Sequence, residues 1–111
     1  MKIATIFKKG VLIVRVEGEL DMHSAHEFRQ TIDDALDSNE AKHIVLNFNG
    51  VDFIDSSGLG VILGRYKRVS LLKGQMVATH IQPQVARIFE LAGLYKIIKV
   101  CNNETEALAF L

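Results

Sequence analysis

Two adjacent serines, Ser56 and Ser57, sit between Asp55 and the stretch Gly58-Leu59-Gly60, at the head of an apolar run with helical spacing. Hydroxyls in that place can hold a phosphate or become one. The first amides of a helix have no intrahelical acceptor, and the macrodipole puts partial positive charge beside them. Ser56 can therefore be a cap, a phosphate contact or a phosphoryl acceptor whose product the first-turn amides receive, and Asp55 can equally be the N-cap. A second acidic candidate, Asp21, closes the stretch Gly18-Glu19-Leu20-Asp21 and reads on its own as a strand-to-helix turn former.

Other constellations are weaker. Gly58, Gly60 and Gly64 give the spacing GxGxxxG where a dinucleotide fold needs GxGxxG, and Gly64 is followed by Arg65-Tyr66 where a P-loop needs Lys-Ser/Thr. His23 and His26 have helix-like spacing but no third ligand, so solvated histidines are expected and no metal or other cofactor is called for. Arg65, Lys67 and Arg68 read as the polar face of a helix. Nothing forms a catalytic triad or a paired-carboxylate site.

The elements that would position Ser56 follow from periodicity. Residues 2 to 7 and 11 to 16 are short β-rich runs around Lys8-Lys9-Gly10 and predict a hairpin. Ala25, Phe28, Ile32, Ala35 and Leu36 predict a helix over about residues 25 to 37, opened by a capping box of Ser24 and Glu27. His43 to Phe48 is a nearly continuous apolar run, a central strand, after which Asn49-Gly50 is expected to turn the chain. From Ser57 a stripe of Leu59, Ile62, Leu63, Tyr66, Val69 and Leu72 predicts a second helix ending at Gly74. Met76 to Ile81 is the next strand, Pro83 opens a third helix ending at Gly93, Tyr95 to Val100 is the last strand, and Asn103 with Glu106 caps a final helix. The resulting order is an α/β fold, its strands mostly parallel and joined by right-handed crossovers, with the hairpin as the exception. Functional surfaces of such sheets collect at the carboxyl ends of strands, where Asp21, Asp55 to Gly60 and the segment near Gln82 fall.

The whole chain narrows the partner. Its 111 residues suit one domain spanning 1–111, and 13 basic residues cancel 13 acidic ones, so no overall field recruits nucleic acid or an anionic membrane. A single cysteine, Cys101, excludes an intrachain disulfide and reads as a small buried hydrophobe. No run approaches the roughly 20 apolar residues of a spanning helix, and a soluble cytoplasmic protein is expected.

Asp55-Ser56-Ser57-Gly58-Leu59-Gly60, with the following Val-Ile-Leu-Gly-Arg-Tyr-Lys, resembles the signature of the bacterial anti-sigma factor antagonists, the small STAS-domain proteins, and among them the sporulation members. Gly18-Glu19-Leu20-Asp21 looks like that family's second motif, and Lys96-Ile97-Ile98 after Ala92-Gly93-Leu94 like its third. The resemblance implies a single STAS-type domain with a mixed, mostly parallel sheet and about four helices. It further implies a non-enzymatic partner switch, monomeric when free. The unphosphorylated form binds an anti-sigma factor that is also a serine kinase and so releases the sigma factor. The kinase then phosphorylates Ser56, the complex parts, and a separate phosphatase restores the serine. The partner surface so implied comprises Asp21, Asp55, Ser56, Ser57, Gly58, Leu59 and Gly60. A STAS scaffold of a stress-response complex, and a small enzyme gripping nucleotide phosphate at the Ser56 helix with Asp55 as base, are the alternatives.

Overall fold

The computed structural model describes all 111 residues. Lys2–Lys8 (β1) and Val11–Leu20 (β2) form the expected antiparallel hairpin. Its turn takes Lys9 and Gly10 through positive φ of 48° and 81°, the primed geometry that matches strand twist. Ala25–Asn39 (α1) leads to His43–Ile54 (β3), Ser56–Leu71 (α2), Met76–Thr79 (β4) and Pro83–Leu91 (α3). A short 3-10 helix, Leu94–Lys96, then precedes Lys99–Cys101 (β5) and Glu104–Phe110 (α4). The sheet order is β1-β2-β3-β4-β5, parallel everywhere except β1.

The alternation of side chains along the strands divides the core in two. Leu12, Val14 and Val16 of β2 and Ile44, Leu46 and Phe48 of β3 face the larger cluster, to which α1, α2 and α3 contribute Phe28, Ile32, Ile62, Val69, Val85 and Phe89. Ile13, Val45 and Val77 face the opposite way, under Ala107 of α4, and Cys101 is buried with them as a small hydrophobe. Three helices thus cover one face and a single short one the other.

Several boundaries differ from the sequence reading. Asn49-Gly50 does not turn the chain: β3 runs on to Ile54, kept in the sheet by an equally extended β2 that pairs Gly18 with Val51 and Leu20 with Ile54 across two register shifts. Gly50 is there for close approach, since a Cβ would lie 2.6 Å from Glu17 Cγ. β4 ends at Thr79, because His80 takes a φ of 56° and leaves the sheet. The predicted last strand shrinks to Lys99–Cys101, its first half wound into the 3-10 helix that buries Leu94. At the end of α2 it is Lys73, with a φ of 61°, that turns left-handed. The Lys73 amide bonds to Ser70 O and the Gly74 amide to Val69 O, a Schellman closure. Gly74 serves contact, as a Cβ on it would lie 1.7 Å from the Lys42 carbonyl oxygen.

Candidate functional site

The parallel register that pairs Leu20 with Ile54 sets the next residues, Asp21 and Asp55, side by side at the carboxyl ends of neighbouring strands. Each aspartate then organises the helix start that follows it. Asp55 is the N-cap of α2, and its Oδ1 accepts from the amides of Ser57 at 2.8 Å and Gly58 at 3.1 Å. Its other oxygen, Oδ2, accepts from the Met22 amide at 3.2 Å, and its own amide donates to Leu20 O at 3.0 Å. One carboxylate thereby ties the turn after β2 to the start of α2.

Asp21, and not the capping box of Ser24 and Glu27, opens the first helix. Asp21 Oδ1 accepts from the amides of His23 and Ser24, and Asp21 O accepts from Ala25. The Ser24 side chain makes no cap bond to α1; its hydroxyl accepts from the Asp21 amide and donates to Glu19 O at 2.6 Å. Reduced hydration works to raise the Asp21 pKa, but the His23 and Ser24 amides, with the Ser24 hydroxyl and His23 charge, outweigh it and hold the carboxyl below its ordinary value. The group is ionised at neutral pH, an anion held by the turn that leads into α1.

Ser56 occupies the first position of α2 and is exposed, whereas Ser57 is half-buried. The amides of Ser57, Gly58 and Leu59 already donate to the side chain and carbonyl of Asp55. The expectation that first-turn amides would receive a phosphate on Ser56 is therefore narrowed, because Asp55 already holds those of Ser57 and Gly58. Gly58 is buried and serves the fold: a Cβ there would stand 2.5 Å from Leu20 O. Leu59 is half-buried, packed against the core, and Gly60 is exposed with open space around it. The exposed members of the expected surface are thus Ser56 and Gly60, framed by the half-buried Asp21 and Asp55. Gln82, the N-cap residue of α3, donates its side-chain amide to Asn49 O at 2.7 Å and so ties the segment after β4 to β3.

Two features had no signal in residue types. The exposed Met22 is drawn into the site through its backbone, which any residue but proline could supply. Arg65 is not part of a solvated face: it lies half-buried against α1, its Nε 3.2 Å from Asp33 Oδ1 as an ion pair, while neither Nε nor Nη1 makes a hydrogen bond. Burial lowers its pKa, Asp33 opposes the shift, and Arg29 and Arg68 reinforce it. Arg68 completes the clamp by pairing with Asp33 and Asp37.

The site is thus an exposed hydroxyl at a capped helix start, next to Asp55 and near the end of the strand that leads into Asp21. A family model described as the STAS domain matches residues 2–107. The chain is 45% identical over 100 residues to the anti-sigma F factor antagonist of Paenibacillus polymyxa, covering 90% of this chain and 86% of that one. Among solved structures, that of the anti-sigma factor antagonist SpoIIAA in its unphosphorylated form superposes with a TM-score of 0.82 at 26% identity, over 96% of this chain and 93% of that one. A Thermotoga maritima protein, described as a candidate anti-sigma factor antagonist, gives a TM-score of 0.89 at 28% identity, over 96% and 92% of the two chains. The chain belongs to the STAS-domain family and, within it, to the anti-sigma factor antagonists, which are regulatory proteins and not enzymes. No helix is long and apolar enough to cross a membrane.

Proposed function

We propose that this antagonist acts in the cytoplasm as a monomeric partner switch for a sporulation sigma factor. Unphosphorylated, it binds an anti-sigma factor that is also a serine kinase, and the sigma factor is released. The kinase transfers the γ-phosphoryl group of ATP to Ser56 Oγ: the Oγ–P bond forms, the bond to ADP breaks, and the hydroxyl proton passes to a base on the kinase. The phosphorylated chain dissociates, and a serine phosphatase returns Ser56 to the hydroxyl by hydrolysis.

The observation that carries this reading is the exposure of Ser56 at a helix start whose amides are taken by Asp55. An acceptor must reach into a kinase cleft, and this hydroxyl is exposed to do so. The added dianion, of roughly −1.5 to −2 charges, would follow directly on Asp55, with Asp21 at the end of the neighbouring strand. Two unit charges about 6 Å apart at an effective dielectric near 20 repel by about 3 kcal/mol before screening. Stripping water from that cluster in a docked interface costs several kcal/mol more. The switch thus operates at the interface, with the backbone unchanged.

Intact mass after incubation with the cognate anti-sigma kinase and Mg-ATP tests the assignment. One phosphate on the wild type and none on Ser56→Ala is the expected result. A wild type left unmodified by a kinase active on another substrate reduces Ser56 to the first residue of a helix, and modification of both moves the acceptor elsewhere.

A further inference from the structure

The sheet face opposite α2 is only half covered. The seven residues of α4 lie over Ile13, Val45 and Val77, and beyond them the carboxyl halves of β2 and β3 face water, although parallel strands are ordinarily buried on both sides. A cavity of about 580 Å³ opens there, over Arg15 and Glu17 of β2 and Asn47, Asn49 and Gly50 of β3, with Lys2 and Ala4 of β1 at its side. A bulge shapes it. Arg15 pairs with Asn47 but Glu17 pairs with Gly50, so β3 uses one residue more than β2 between these pairs. Two residues, Asn49 and Gly50, therefore line the cavity between the core-facing Phe48 and Val51.

The charges of this cavity are set apart. Glu104 accepts from Nε and Nη2 of Arg15 and is itself held by Asn47, which fixes the guanidinium and leaves its Nη1 without a partner. Lys2 and Glu17 are directly opposed in the β1–β2 register yet form no ion pair. Gly50 is the reason: a Cβ on it would lie 2.6 Å from Glu17 Cγ, so the Glu17 stem leans over β3, away from β1. Asn49 engages its backbone with Asn47 and Gln82 and leaves its side-chain amide free. Counting Glu104, two cations stand against two anions. A simple anion would meet Glu17 and a simple cation would meet Lys2 and Arg15, whereas a molecule that carries both charges complements the site. The volume is that of a small-ligand cleft. We infer that this cavity binds a small zwitterion of the amino acid or dipeptide class, its carboxylate on Arg15, Lys2 and the Asn49 amide and its ammonium group on Glu17. Arginine and amide N–H groups suit a carboxylate by direction as well as by charge. The site is separate from Ser56, but it lies on the two strands whose ends carry Asp21 and Asp55.

The test is titration of the isotope-labelled full chain, followed by its amide spectrum, with the common L-amino acids one by one and with glycine-containing dipeptides. Saturable shifts centred on Arg15, Asn49 and Gly50 are expected, and the tighter of the two sets identifies which source of the zwitterion the cavity takes. N-acetylation of the best binder, or amidation of its carboxylate, should each weaken binding by at least about tenfold, since each removes a charged hydrogen-bonding group. Glu17→Gln should weaken the free form by a similar factor and leave the N-acetyl form as it was. Asn49→Ala should weaken the free form and leave the carboxyl amide as it was. Both side chains are exposed and outside the hydrogen bonds of the fold, so the variants should melt with the wild type. An N-acetyl form that binds wild type as tightly as the free form would give the cavity to simple carboxylates and overturn the inference. Shifts that do not saturate, or that gather elsewhere on the chain, overturn the site itself.

Discussion

Asp55 does three things with one carboxylate: it caps α2 through Ser57 and Gly58, it ties down the Met22 amide, and it stands next to the exposed Ser56, the proposed phosphoryl acceptor. Losing a capping oxygen costs about 0.5–2 kcal/mol. Asp55→Ala should therefore unfold about 1–2 kcal/mol more easily in urea, and the Met22 amide should exchange faster in hydrogen-exchange measurements. Asp55→Asn keeps an acceptor for the cap but one oxygen fewer, so it should restore most of the stability and leave the Met22 amide the faster exchanger. A second carboxylate offers a pH test. Glu104, at the start of α4, accepts both nitrogens of Arg15 at 2.8 and 2.9 Å and the Asn47 amide at 2.7 Å. The Arg15 hydrogen bonds, opposed by partial burial and aided by Asn47, lower its pKa from 4.5 to about 2. A depressed carboxylate pKa stabilises the fold fully above the ordinary value and loses that contribution as the proton binds. The urea midpoint should accordingly fall between pH 4.5 and 2, and Glu104→Gln should flatten that fall.

Among the elements, α2 carries most of what can be tested, because its glycines have opposite reasons. Gly58→Ala pushes a methyl to 2.5 Å from Leu20 O, where helix meets strand, and should destabilise by about 1–3 kcal/mol in denaturant unfolding, whereas Gly60→Ala has open space and should not. The clamp between α1 and α2 is likewise asymmetric. Asp33 answers both Arg65 and Arg68, so Asp33→Ala strands a half-buried guanidinium and should cost more stability than Asp37→Ala, whose partner Arg68 keeps Asp33. How much of this the chain discloses depends on the range of the forces. The hairpin at Lys9-Gly10, the stripes of α1 and α2, Pro83 at the head of α3 and the Asn103 cap rest on local chemistry and are readable residue by residue. The passage of β3 through Asn49-Gly50 is not, because pairing with an extended β2 overrides a local turn signal. Nor is the capture of the Met22 amide, which depends on a register between strands 33 residues apart.

At the scale of the molecule, a mixed five-stranded sheet brings two motifs that are distant in sequence to one edge, and α2 carries that edge outward as a surface. The Ser56 motif and the Asp21 motif are recognisable in the sequence itself as kin to those of the antagonists. Their joint geometry is not, since it is made by the parallel pairing of β2 with β3. The fold leaves the Ser56 hydroxyl exposed at the head of α2, so the proposed modification would change recognition without changing structure. The most direct check is the affinity of the anti-sigma kinase for the chain before and after stoichiometric phosphorylation of Ser56, measured at fixed salt. Partner switching at Ser56 requires a loss of about 100-fold or more, equivalent to roughly 2.8 kcal/mol, with the amide spectrum of the core unchanged. Equal affinity of the two forms would contradict it.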